Sequence, residues 1–213
     1  MKFGKTLAAG FVGAAMMVLS GGAQAAFTVQ SGLVGGSGDV DNVLFNSCTG
    51  NNVGPALTIT GCLNTSPTTL VKFTSDENIF SPAGGQARIA ASDGVGYSQL
   101  AISLANAGDT FAKLQLNIDA TADGFVTFSG VPGSPPTYTF AISASGQNFF
   151  TITGENFLSV LLNTTVDIVT DVQQIRLGGI AGPTPVPEPA TLALFGMGLA
   201  GLGMMARRRR AQA

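Results

Sequence analysis

The sequence predicts an all-β body, a β-sandwich of jelly-roll or immunoglobulin-like type. An N-terminal signal helix precedes it and a C-terminal transmembrane helix follows it. Three observations carry that reading. Apolar and polar residues alternate with period two in seven short runs between residues 71 and 177. Gly, Pro, Asn and Asp punctuate the gaps, and the runs recur about every 10–13 residues, as sandwich strands do. The apolar excess of the 213-residue chain, 45% hydrophobic, gathers at its two ends, outside this pattern.

The first 25 residues read as a secretory leader. Lys2 and Lys5 supply a positive start, and residues 7–19 form an apolar run too short and too rich in Gly and Ala for a lasting anchor. Ala23-Gln24-Ala25 offers an A-x-A site, so cleavage before Ala26 is expected. The body, residues 26–182, would then fold outside the cytoplasm. A domain of this size buries about 68–70% of its unfolded surface, enough for a true core.

Within the body, Cys48 and Cys62 enclose 13 residues. An exported chain meets an oxidising compartment, so they read as a disulfide pair. The alternative is two free thiols or metal ligands, but no histidine exists to complete a zinc site. The enclosed TGNNVGPALTITG is rich in turn formers and reads as floppy without the bond.

The strand runs follow in order: residues 71–74, 99–104, 113–118, 125–128, 138–142, 149–153 and 172–177. Asp123-Gly124 and Ser145-Gly146 suit tight turns, while residues 131–136, with three prolines, read as a loop. Residues 155–162 are either a short helix or a fully buried strand. A closed barrel is the second choice of architecture.

The body holds four basic residues (Lys72, Arg88, Lys113, Arg176) against eleven acidic ones, a balance of −7 that the tails mask. Such a surface repels phosphate backbones, which argues against nucleic acid as a partner. No cofactor or metal is expected. The one calcium-like run, Asp39-Val40-Asp41-Asn42, lacks the glycine and distal glutamate of an EF-hand and reads as a solvated turn. Without histidine there is no Ser-His-Asp or Cys-His unit. The chain therefore reads as a non-enzyme; the remote exception is a two-carboxylate glycosidase using Glu77 and Glu155, the body's only glutamates.

The last segment, residues 183–213, has three parts. Residues 183–189 form a proline-rich spacer that ends in Val186-Pro187-Glu188-Pro189, extended because each proline disfavours helix. Residues 190–206 are uncharged; as a helix they span roughly 25 Å, the lower limit for a bilayer. Arg207, Arg208, Arg209 and Arg210 hold that end on the cytoplasmic side. Gly196-Met197-Gly198-Leu199-Ala200-Gly201 fits a dinucleotide fingerprint by spacing but lies inside this apolar run, where small residues serve helix packing instead.

Motif, apolar helix and basic stop in this order resemble the PEP-CTERM sorting signal of exported proteins in Gram-negative bacteria. The likeness covers about the last 28 residues. It implies recognition and removal of the tail by an exosortase, a membrane-embedded processing enzyme, after a transient stay in the inner membrane. It also implies a final place at the cell surface or outside, often in an exopolysaccharide or biofilm matrix. The same tail has been described as the C-terminal domain of ice-binding proteins, but a tail confers no such activity. Two Thr-Ile-Thr runs, at residues 58–60 and 151–153, are too few for an ice-binding array.

The expected role is thus a non-enzymatic envelope or extracellular-matrix protein, with extracellular polysaccharide as a compatible partner. The alternative is a carbohydrate-binding or adhesive β-module, for which Tyr97, Tyr138, Phe149 and Phe150 are the candidate platforms.

Overall fold

The computed structural model describes residues 27–35, 37–82, 86–131, 137–183 and 197–199. Twelve strands make up the body: β1 (Thr28–Ser31), β2 (Asp41–Leu44), β3 (Ala56–Leu63), β4 (Ser66–Phe80), β5 (Arg88–Ala91) and β6 (Gln99–Leu104), then β7 (Phe111–Ala120), β8 (Gly124–Val131), β9 (Tyr138–Ile142), β10 (Asn148–Phe157), β11 (Ser159–Thr164) and β12 (Val169–Gly178). A single 3-10 turn, Ser37–Asp39, precedes β2.

The strands form one continuous sheet in the order β1-β10-β7-β12-β2-β3-β4-β6-β11-β8-β9, and every described pairing is antiparallel. β5 closes it on itself by pairing with both β12 and β4. The ring β12-β2-β3-β4-β5 is therefore a closed barrel. Closure removes the unpaired edges that an open sheet would leave there. Two outer wings extend from the ring, β7-β10-β1 from β12 and β6-β11-β8-β9 from β4.

The wings bury their facing sides against each other. Phe150 of β10 lies 4.9 Å, centroid to centroid, from Phe128 of β8 and 5.4 Å from Phe140 of β9. The far edges also meet: the Tyr138 hydroxyl of β9 donates to the Phe27 carbonyl just before β1 at 3.0 Å. Period two explains the core. Leu114, Leu116 and Ile118 of β7 point in, as do Leu100, Ile102 and Leu104 of β6 and Val160 and Leu162 of β11.

All seven alternating runs are strands, and residues 155–162 resolve as strand rather than helix. That stretch hid its nature because it straddles a break. β10 bulges between Thr153 and Phe157, where Asn156 takes φ 56°, and β11 starts two residues beyond β10's end. With the Cys48–Cys62 bond in place, residues 56–61 of the cysteine loop belong to β3, which pairs with β4 from Ala56 to Leu63. Proline at 132, 135 and 136 lies outside the described residues.

No helix among the described residues is long and apolar enough to cross a membrane. Residues 197–199 are helical. The rest of the expected spanning segment, and the whole signal segment with Ala23, Ala25 and Ala26, lie outside the described residues.

Candidate functional site

None of the four expected aromatic platforms is exposed. Tyr97 is fully buried; its hydroxyl donates to the Ile89 carbonyl at 3.0 Å, and burial drives its phenol far above the ordinary range. Phe150 is core, Tyr138 is half-buried and held by Phe27, and Phe149 is half-buried opposite Asn117 on the outer face of β7. The exposed ring is Phe125, at 59% the only exposed aromatic among the described residues. Parity decides this. Val126 and Phe128 turn into the core, so Phe125 must turn out.

Phe125 borders a cleft of about 440 Å³ at the end of the β8–β9 hairpin. Asp123, Gly124, Ala141, Ile142, Ser143 and Asn148 complete its lining. The frame is rigid. Asn148 accepts the Ser143 amide at 2.9 Å and donates to the carbonyls of Ile118 and Ser143 at 2.9 and 3.0 Å. Asp123 Oδ1 accepts the Ala144 amide at 2.8 Å and the Ser143 hydroxyl at 3.0 Å. The Ala144 amide first, then the Ser143 hydroxyl, hold the Asp123 carboxyl below its usual range, so it is ionised at neutral pH. Its Oδ2 has no partner among the described residues, leaving an acceptor beside an exposed ring.

The calcium-like run has a different use. Residues 32–35 and 37–39 belong to a strap over the outer face of β10 and β7. The Val34 amide donates to Thr151 Oγ1 at 2.9 Å, Thr151 donates to the Gly32 carbonyl at 2.8 Å, and Gln115 donates to the Val34 carbonyl at 3.1 Å. Lys113 then pairs with Asp39 at 2.9 Å, and Asn42 Oδ1 accepts from Gln86 and Arg176 at 2.9 and 3.1 Å. No group of three or more His, Cys, Asp or Glu among the described residues is placed to hold a metal ion.

Three of the body's four basic residues are engaged singly rather than in a stripe. Arg88 pairs with Asp171, Lys113 with Asp39, and Arg176 with Asn42. Glu77 stands in an acidic neighbourhood: partial burial first, then Asp93, Asp167 and Asp76, push its carboxyl up. That rise, from burial first and like-charge neighbours second, arises outside the cleft, a feature no local sequence reading reveals. The Glu155 side chain lies outside the described residues. Cys48 and Cys62 are joined, with Cα atoms 5.4 Å apart, and tie the end of β3 to the segment after β2.

Val186, Pro187, Glu188 and Pro189, and Arg207 to Arg210, lie outside the described residues. Comparison with protein families places them: residues 185–210 match the PEP-CTERM protein-sorting motif. The motif implies export and processing by exosortase, a membrane enzyme. No curated protein and no solved structure matches the chain.

Proposed function

We propose that this chain is a non-enzymatic envelope or extracellular-matrix protein of a Gram-negative bacterium. A signal peptide ending at Ala25 exports it. Residues 190–206 then hold it in the inner membrane with Arg207–Arg210 inside, until an exosortase removes the tail. The body, residues 26–182, remains at the surface or in an exopolysaccharide-rich biofilm matrix. The two wings that face each other across Phe128 and Phe150 are its sandwich part.

The observation that carries this reading is the sorting motif at residues 185–210. The Cys48–Cys62 bond supports it, since disulfides persist in oxidising compartments. Intact mass spectrometry of the protein from its native host is the test. The expected species begins at Ala26, lacks the C-terminal segment and is lighter by the two hydrogens of the disulfide. A full-length, reduced chain in the cytoplasm overturns the reading.

One observation favours a second reading, a carbohydrate-binding or adhesive β-module. Phe125 offers an exposed ring beside a free carboxylate oxygen. That arrangement is the usual means of holding a sugar by stacking and hydroxyl donation. A glycosidase finds no comparable support in the cleft, where Asp123 is the lone carboxylate lining it.

A further inference from the structure

The outer face of the wing that carries Phe125 is almost free of charge. The pairing registers set side chains of equal parity into rows across it. One row reads Thr58, Thr74, Ala101, Leu161, Ser129; the next reads Thr60, Lys72, Ser103, Ser159, Val131; a third runs Gln99, Asn163, Thr127, Thr139. Each of these side chains is at least partly open to solvent. Hydroxyls pair across strands, Thr58 with Thr74 and Thr127 with Thr139, both at 3.0 Å.

Eleven acids sit in the body, yet between Lys72 and the far edge of β9 these rows contain none. Asp76 stands at the rim, turned back onto the Ser98 hydroxyl and the Gln99 amide. Asp123 stands at the corner, beside Phe125. The charges gather instead on β7 of the opposite wing, with Lys113 and Asp119, on the adjoining ring strand β12, with Asp171 and Arg176, and on the strap, with Asp39.

We infer that this face and its corner cleft form one binding surface for a neutral polysaccharide. This rests on the carbohydrate-binding reading above and gives it a place and a ligand class. One sugar ring stacks on Phe125 and donates hydroxyls to Asp123 Oδ2. The cleft, about 440 Å³, lies in the size range of small-ligand sites, roughly 300–1,000 Å³, so it takes a few sugar units at most. The rest of the chain lies along the Thr, Ser, Asn and Gln rows, whose groups both donate and accept.

Charge selects the class. Asp123 and the −7 body repel a polyanion, no cation lines the cleft to attract one, and the rows offer a polycation no carboxylate. A second copy of the chain is a poor occupant, since Leu161 is the only sizeable apolar side chain inside the three rows and Val131 ends one of them.

The test is affinity electrophoresis of the purified full-length chain in gels holding dextran, mannan or soluble cellulose derivatives, with alginate as the anionic comparison. At least one neutral gel should retard the protein and alginate should not. Phe125→Ala should weaken that retardation about tenfold, and Asp123→Asn should weaken it less. Phe125→Trp should retain it, and Leu33→Ala, on the strap, should not change it. No retardation in any neutral gel, stronger retardation in alginate, or full affinity in Phe125→Ala overturns the inference. Phe125 is exposed, so the variant keeps its fold, which a thermal melt verifies. Expressed in the native host, Phe125→Ala should be exported and trimmed as before. Loss of glycan binding with normal trimming thus concerns the cleft alone, whereas failed trimming concerns the sorting reading.

Discussion

Asn117 lies in mid-β7 on the outer face, opposite Phe149 of β10 and Gln173 of β12. It is fully buried, and neither its Oδ1 nor its Nδ2 has a partner among the described residues. A buried amide left unpaired costs about 1–3 kcal/mol, and valine suits a central strand better than asparagine. Asn117→Val should therefore leave the thermal midpoint unchanged or raise it; a drop of several degrees would mean that the amide is satisfied in solution. Arg88 predicts the reverse. Its Nε and Nη2 both donate to Asp171 Oδ2, at 2.9 and 2.6 Å, and the Asp171 side chain is only 1% exposed. Burial pushes the Asp171 carboxyl up and Arg88 pulls it back, with a net rise. Arg88→Met strands that carboxylate and should cost about 2–3 kcal/mol at neutral pH. The sign with pH follows from linkage: a carboxyl whose folded pKa is raised contributes stability at low pH, lost as pH rises through that pKa. Without Arg88 the rise is larger, so the deficit should be greatest at pH 7 and shrink towards about pH 4. Urea melts at both pH values measure it, and an equal deficit at both would sink the argument.

At the scale of the element, β3 depends on the bond that frames it. The disulfide spans a sequence separation of 14 and encloses most of β3. Closing a loop of that length removes about 3 kcal/mol of unfolded-state freedom on the chain-entropy model. The double variant Cys48→Ser/Cys62→Ser should lose about that much in urea unfolding, while a loss below 1 kcal/mol would show that β3 is held by β4 alone. Strand legibility followed length. The seven alternating runs lie in strands of 5 to 15 residues, long enough for period two to show. β1, β2 and β5 have four residues apiece, too few for a pattern. β3 was masked by its turn-forming flank, and its inward Ile59 is followed by Gly61, where an added Cβ would lie 2.6 Å from the Leu44 carbonyl oxygen, closer than a side chain tolerates. The cleft was illegible for another reason. Alternation says that Phe125 and Phe128, three apart, face opposite sides, but not which side is the core. Only the Phe128–Phe150 contact across the wings fixes that. The barrel closure was equally hidden, because Ala90 of β5 lies between Phe80 of β4 and Asp171 of β12, which are 91 residues apart in the chain.

For the whole molecule, the division of labour is linear in the chain. A tail signal is read by a membrane and an enzyme while extended, so its code is one-dimensional and fully visible in sequence. A binding face is assembled from β3, β4, β6, β11, β8 and β9 and exists only once the sheet closes. The same contrast sets the last prediction. As a helix, residues 190–206 would span only roughly 25 Å against a bilayer core of about 30 Å. Apolar burial alone is therefore marginal, and the basic end must do part of the holding by snorkelling and by resisting translocation. Replacing Arg207 to Arg210 with serine in a host lacking exosortase should shift the uncleaved precursor from the inner-membrane fraction to the soluble exported fraction. The body should stay folded and oxidised, since the ring, the wings and the Cys48–Cys62 bond lie entirely within residues 28–178. In a host with the enzyme, the same variant should yield less trimmed protein, because a precursor that does not pause in the membrane escapes the protease. Fractionation followed by intact mass measurement separates the two effects. A serine variant that stays membrane-bound and is trimmed at the normal rate would show that the apolar run suffices by itself, and that the four arginines are not the stop.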